Sequence, residues 1–408
     1  MAVVIIGTLD TKAEELGFAR DIIDSQGVDV HIVDTGVMDN PGFEPGTSAG
    51  EVAEAADTSL EHLRKKADRG EAMEAISRGA ATVATRLHEE NVLDGVLGLG
   101  GSGNTSIATT AMRALPVGVP KLMVSTMAAG DTEPYVGAKD VTMMYSVADI
   151  EGLNQLSRRV IANAALAVVG MVGNEPDITV EDKPTVGITM FGVTTPCVQT
   201  VRQHLESEGY ETIIFHATGT GGRAMENLVR QGVIDGVLDV TTTEWADELV
   251  GGVLSAGPER LDAAAETGTP QVVSTGALDM VNFGPRDSVP DEFEGRQFHI
   301  HNPQVTLMRT TPAENAELGE IIAEKLNAAT GPTALALPLG GISMIDVEGE
   351  DFYDPEADEE LFDALRTHLD EGIELLEMET AVNDEAFAEA IAEKLDEYMR
   401  EVGLGPEK

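Results

Sequence analysis

The hexapeptide Val92-Leu93-Asp94-Gly95-Val96-Leu97 returns almost letter for letter as Val233-Ile234-Asp235-Gly236-Val237-Leu238. Three further matches keep the same order. The apolar run Val3–Ile6, leading into Gly7-Thr8-Leu9-Asp10-Thr11-Lys12, answers to Thr185–Phe191, leading into Gly192-Val193-Thr194-Thr195-Pro196-Cys197. Gly118–Thr126 recurs loosely as Gly268–Thr275. Val141–Met144 recurs as Val305–Met308, each ahead of a long helical pattern. Ordered matches at this spacing argue for an internal duplication, with a period far longer than that of solenoid repeats. Apolar strands alternate with amphipathic stretches, so the expected fold is α/β: two lobes with mostly parallel sheets. Their expected bounds are 1–175 and 183–350, and an acidic helical tail, 351–408, packs back on a lobe or on a partner subunit.

Within the first lobe, Ala13–Ser25 carries Leu16, Ala19, Ile22 and Ile23 on one side, and Gly27 ends it before a strand at 28–33. Residues 39–60, rich in Gly, Pro, Ser and Glu, read as a long loop. A helix is expected over 70–90, strands at 92–97 and 119–125, and a long helix around 153–169.

The strand at 92–97 runs into Gly98-Leu99-Gly100-Gly101-Ser102-Gly103-Asn104-Thr105, and a helical pattern follows. Glycine removes the Cβ and lets backbone N–H groups approach an anion, towards which the next helix points its positive end. In a doubly wound sheet the ligand lies beyond the carboxyl ends of the strands. Three first-lobe loops meet that description: 7–12, 98–105 and 125–132. The candidate nucleotide contacts are Thr8, Asp10, Thr11, Lys12, Gly100, Gly101, Ser102, Gly103, Asn104, Thr105 and Asp131. Lys12 is the one cation in these loops and would meet a phosphate oxygen as a point charge. Asp10 and Asp131 are the candidate ligands for Mg²⁺, a hard cation that takes oxygen donors. Any one of these residues taken alone is equally a turn or helix-capping residue.

Other phosphate and nucleophile motifs fit less well. Gly98-x-Gly100-x-x-Gly103 satisfies the dinucleotide fingerprint, but it is not in the first strand–helix turn and no acidic residue ends the following strand. The run from Gly7 to Lys12 lacks the glycine that precedes a Walker lysine. Asn104 stands where a serine nucleophile elbow needs its last glycine.

The second-lobe counterpart of the glycine loop is Asp239-Val240-Thr241-Thr242-Thr243-Glu244, with no glycine and two carboxylates. A phosphate would be repelled there, so a different ligand or a metal is expected. The candidates are Cys197, near a helix start where a thiol pKa tends to fall, Arg223 as a clamp for an anion, Thr242 and Glu244. His299, His301 and Asn302 follow another short strand. A thiol–imidazole site and a plain buried thiol with structural histidines are both open.

Acidic residues number 72 against 26 basic ones, a net charge of −46 spread along the chain. With no basic stripe, nucleic acid and anionic membranes are excluded as expected partners. The charge suits a high-salt cytoplasm, where screening relieves self-repulsion. One cysteine rules out an intrachain disulfide framework and a Cys-rich zinc site. Met1 leads straight into a strand with no basic leader, and no apolar run is read as reaching the ~18 residues of a membrane span. A cytoplasmic protein is expected.

Gly7–Lys12, Gly100–Thr105, Met190–Cys197, Phe215-His216-Ala217-Thr218-Gly219 and Leu337-Pro338-Leu339-Gly340-Gly341 together resemble the Tm-1-like ATP-binding family, UPF0261. The resemblance covers nearly the whole chain. It implies two Rossmann-like lobes, bound ATP with Mg²⁺, and a homodimer or higher homo-oligomer. Two functional expectations follow. In one, ATP–Mg²⁺ in the first lobe serves an enzyme acting on a small acidic substrate in the cleft, with Arg223 and residues 241–243 orienting that substrate. In the other, ATP is sensed without turnover. A solute-binding protein also has two α/β lobes but calls for an exported chain.

Overall fold

Val3–Ile6 is buried completely, as a strand covered on both faces must be. It is the centre of β1 (Ala2–Gly7) in a computed structural model that describes residues 1–38, 41–174 and 183–406. The chain divides into two units, Met1–Thr179 and Val180–Lys408. The boundary expected between 175 and 183 lies outside the described residues.

In the first unit β1 is followed by α1 (Leu9–Ser25), β2 (Asp29–Asp34), α2 (Ala49–Glu54), α3 (Leu60–Lys66), α4 (Arg69–Glu89) and β3 (Gly95–Gly100). Then come α5 (Ser102–Ala114), β4 (Lys121–Ser125), α6 (Glu133–Val136), β5 (Thr142–Tyr145) and α7 (Gln155–Gly173). The strands pair in parallel in the order β2-β1-β3-β4-β5. Ile76, Ala80 and Val83 of α4, with Ile107 and Ala111 of α5, cover Val4, Ile6 and Val96. On the other face Leu16 and Ile23 of α1, with Ile161 and Val168 of α7, cover Val3, Ile5 and Leu97.

The second unit holds β6 (Thr185–Met190), α8 (Thr195–Glu208), β7 (Glu211–His216), α9 (Thr220–Arg230), β8 (Gly236–Thr241), α10 (Glu244–Val250), α11 (Asp262–Thr267) and β9 (Gln271–Gly276). It continues with β10 (Met280–Phe283), β11 (Phe298–Asn302), β12 (Val305–Arg309), α12 (Pro312–Asn327), β13 (Thr333–Pro338), α13 (Pro355–His368), β14 (Glu374–Met378) and α14 (Glu385–Glu401). Its main sheet is parallel, in the order β7-β6-β8-β9-β13-β14. The first five of these strands repeat the connectivity of the first unit's sheet. Both units are α/β with Rossmann-like, largely parallel sheets.

Four expectations change. Val305–Met308 is not the counterpart of Val141–Met144: it lies in β12, the centre of a separate antiparallel sheet ordered β10-β12-β11. The strand beside β9 that matches β5 is β13. Residues 39–60 are not one loop, because α2 opens on a capping box in which Ser48 and Glu51 bond each other's backbone N–H. The tail, described to residue 406, packs on the second unit as one alternative had it but is not all helical: β14 extends the sheet, and Phe387, Ile391 and Leu395 of α14 share a core with Val186 and Leu238. Finally, α7 is long and apolar enough to cross a membrane by length and composition. Here it lines the sheet with Ile161, Ala164 and Val168, leaving Leu156, Leu166 and Met171 exposed.

Candidate functional site

The glycines of the 98–105 run do two different jobs. A Cβ on Gly98 would lie 2.5 Å from the Met123 sulfur and 2.9 Å from the Ala108 Cβ, and one on Gly100 would lie 2.7 Å from the Asn104 Cβ. These two are inside or at the end of β3 and let α5 approach the sheet. Gly101 and Gly103 meet nothing closer than 3.8 Å. Gly101 is the N-cap of α5 with φ −80° and ψ −166°, extended backbone, and α5 has no side-chain cap. The amides of its first turn are therefore offered to whatever lies beyond.

Asn104 and Thr105, expected at a phosphate, hold the helix in place instead. The Asn104 amide donates to the carbonyls of Leu99 (2.7 Å) and Ile6 (3.2 Å) and accepts from the Thr35 hydroxyl (3.2 Å). Thr105 is fully buried and donates to the Gly101 carbonyl (2.8 Å), with the Ser125 hydroxyl 2.6 Å away. The start of α5 is thus tied to β1, β3 and β4.

Two cavities flank it. The larger, about 660 Å³, is lined by Thr8, Asp10, Thr11, Gly103 and Asn104 on its polar side. Val37, Leu63, Met73, Ile76 and Ile107 make its apolar wall, and Arg64 and Arg69 also line it. The second, about 400 Å³, is lined by Gly101, Ser102, Thr126, Tyr145 at the end of β5, and Ser146, Ala148 and Asp149 of the loop after it. In that loop Val147 has φ +66° and is 57% exposed. A β-branched residue in the left-handed region is strained, by about 1–3 kcal/mol.

Two carboxylates line the larger cavity: Asp68, which caps α4, and Asp10. Asp10 Oδ2 accepts from the Met38 amide at 2.9 Å, while its Oδ1 is buried with no hydrogen-bond partner. Behind it Asp34, a carboxylate that sequence reasoning passed over, accepts from the amides of Leu9 and Gly36, both at 2.9 Å. Burial first, and the charge of Asp10 among lesser causes, raises the Asp34 pKa above its usual value.

The other two charged candidates lie elsewhere. Lys12 lines neither cavity; its amine is 2.7 Å from Glu151, at a point where α1 departs from helical dihedrals. Asp131 accepts from the Glu133 amide at 3.1 Å and also lines neither cavity. Among the described residues no group of three or more His, Cys, Asp or Glu is placed to hold a metal. A cation here would have Asp10 as its protein ligand.

In the second unit the corresponding charges are already answered. Glu244 Oε1 accepts from the amides of Gly219 (2.7 Å) and Gly222 (3.1 Å) at the start of α9, and Oε2 accepts from Arg260 at 2.7 Å. Arg260 is completely buried, takes both oxygens of Asp239 at 2.6 and 2.7 Å, and reaches Glu226 at 3.3 Å. The start of α9 is thus taken by the chain's own carboxylate. Thr242 is fully buried, donating to the Ser274 carbonyl at 3.0 Å. Arg223 donates to the Ser255 carbonyl at 3.3 Å and lines a separate cavity of about 310 Å³. Cys197 lies in the core with Val201 and Phe387, and burial pushes its thiol up to about 12. That is the reverse of the lowering expected at a helix start, because desolvation outweighs the helix field. The structure brings Thr8, Asp10, Thr11, Gly103 and Asn104 together, but does not gather Cys197, Arg223 and Thr242 into one site.

The family models described as the uncharacterised protein family (UPF0261) N-terminal and C-terminal domains match residues 1–177 and 183–399. This chain belongs to the UPF0261 family. A UPF0261 protein of Clostridium tetani is 54% identical over 97% of this chain and 98% of its own length. The UPF0261 protein mlr3387 of Mesorhizobium japonicum is 45% identical over 97% of this chain and 98% of its own. The ToMV resistance protein Tm-1(GCR237) of Solanum lycopersicum is 44% identical over 96% of this chain, which spans 55% of that protein. Among solved structures, a UDP-N-acetylglucosamine 2-epimerase from Rickettsia bellii aligns over 67% of this UPF0261 chain and 78% of its own. With 12% identity and a TM-score of 0.24, that likeness carries no argument.

Proposed function

We propose that the first unit binds a nucleoside triphosphate, ATP by the family resemblance, with its phosphates over the start of α5 and its base in the larger cavity. The observation that carries this reading is the uncapped first turn of α5, set between an amphipathic cavity and a polar one. The apolar wall suits a planar base, and the α5 amides suit the anionic tail. The unpartnered Asp10 oxygen lies on the same polar side, where a carboxylate repels phosphate unless a cation lies between them. Mg²⁺, which is commonly held by one or two carboxylates plus phosphates, fits that donor set. The strained loop at Val147 is a further sign of a functional edge.

The test is calorimetric titration of the full chain with ATP and MgCl₂ in high KCl. One nucleotide per chain is expected. Gly101→Val should abolish binding, since its side chain would cover the α5 amides while the extended backbone at 101 accepts any residue. Unchanged affinity in a folded Gly101→Val chain overturns the reading. Lys12→Ala should weaken binding less than tenfold, because the Lys12 amine is engaged with Glu151. Phosphate release followed over hours then sorts turnover from sensing.

A further inference from the structure

The second unit carries a pair of imidazoles that the nucleotide reading does not use. His299 and His301 lie two residues apart on β11, an edge strand of the antiparallel sheet β10-β12-β11. A break in register between Ile300 and Asn302 leaves His301 without a ladder partner. The two rings are 6.5 Å apart between centroids, with planes inclined by 43°. His301 is exposed, and the His299 side chain is 28% exposed.

His299 is held in one orientation from two sides. Its Nδ1 is 2.7 Å from Asp351 Oδ2. Its ring meets the buried Phe352 edge-on, with centroids 6.2 Å apart. The backbone of Phe352 is fixed in turn: its carbonyl accepts from Arg309 at 2.9 Å and its amide donates to Ile345 at 2.8 Å. Gln297 adds a side-chain bond to the Asp351 carbonyl. In the neutral ring a carboxylate at Nδ1 takes the proton-bearing side and leaves the Nε2 lone pair to another atom.

From this geometry we propose that His299 and His301 form a binding site for a divalent transition metal, with Zn²⁺ the reference ion, and that Asp351 positions His299. Imidazole suits zinc, copper and nickel, whereas carboxylates alone suit magnesium and calcium. Zinc binds imidazole nitrogen at about 2.0–2.1 Å, which asks the two rings to close by about an ångström. Rotation of the exposed His301 side chain supplies that movement without disturbing the core. The arrangement carboxylate–histidine–metal fixes the tautomer and raises ligand basicity, as it does in established zinc sites. Two protein ligands leave the remaining positions to water, so the ion is exchangeable and open to a further ligand. An ion that binds only the folded chain raises its thermal midpoint by mass action.

The chain's many carboxylates bind cations weakly and would mask the site, so the titration uses ZnCl₂ in high KCl with excess Ca²⁺ to fill oxygen sites. One Zn²⁺ per chain is expected, together with a rise in thermal midpoint that EDTA reverses. His299→Ala and His301→Ala should each weaken Zn²⁺ binding at least tenfold, and Asp351→Asn about tenfold. All three positions are at the surface, and equal thermal midpoints in EDTA confirm folding. Histidine side-chain nitrogen spectra should show both resonances moving with Zn²⁺. No stoichiometric Zn²⁺ above the Ca²⁺ background, or a double His299→Ala/His301→Ala variant that binds as tightly as the parent chain, overturns the site. Unaltered affinity in Asp351→Asn overturns the positioning role. The nucleotide site is in the other unit, so neither result bears on it.

Discussion

Arg260 lies at the centre of three buried carboxylates, Asp239, Glu244 and Glu226. Removing it leaves these carboxylates their hydrogen-bond donors but takes away the buried countercharge they share, and breaking a buried pair costs about 3–5 kcal/mol. Arg260→Met should therefore lower stability by at least about 3 kcal/mol at neutral pH in chemical denaturation. The loss should shrink in acid, where the carboxylates take up protons. Asp247 gives a second residue-scale test. It accepts from the Leu254 and Asn282 amides, both at 3.1 Å, and from the Asn282 side chain at 2.6 Å. Burial nevertheless pushes its carboxyl up to about 7. Its folded value lies above its unfolded one, so the native state binds the extra proton. The contribution to stability is then greatest near pH 4, declines as pH rises towards 7, and is flat above that. Thermal midpoints of Asp247→Asn across pH 4–8 should have a shallower decline than those of the parent chain. None of this is written in a pattern: Arg260 is 16 residues from its Glu244 partner and 34 from Glu226, and composition does not say which charge is buried.

At the scale of elements, two helix starts that look alike in sequence have opposite fates. Both α5 and α9 follow glycines and lack side-chain caps. The first turn of α9 is filled by Glu244, and a Cβ on Gly222 would lie 2.1 Å from that carboxylate. Accordingly the second unit should take no nucleotide, and the titration stoichiometry checks this directly. The strand–helix alternation and the repeated strands were legible because apolar runs and their breaks are local. The match of Val305–Met308 to Val141–Met144 misled because four apolar-rich letters do not encode whether a strand pairs parallel or antiparallel. The capping box of Ser48 and Glu51 was readable, and would have placed α2 inside the supposed loop. At the site, Thr8, Asp10 and Thr11 were legible from their strand–helix turn. Which glycines face open space and which merely let α5 approach β3 depended on Met123 and Ala108, which no loop motif includes.

For the whole molecule the governing quantity is the net charge of −46. The Debye length falls from about 10 Å at 0.1 M salt to about 3 Å at 1 M. Repulsion among carboxylates a few residues apart on the surface is thus cut most between those limits. The thermal midpoint should rise steadily as KCl is raised through that range, and a flat response in calorimetry would remove the high-salt reading. Both sheets bury their central strands between helices, and in each the face covered by the unit's first helix is completed by its last. In the first unit α1 and α7 share one face of the sheet, which closes once residues 155–173 have been made. In the second, the face covered by α8 waits for α14, whose Met399 sulfur fills the space over Gly236. A ribosome emitting this chain therefore releases a first half able to finish on its own. The later half stays open along one side until residues 385–401 emerge, and any premature stop before them leaves Val186, Leu238 and Val272 facing water.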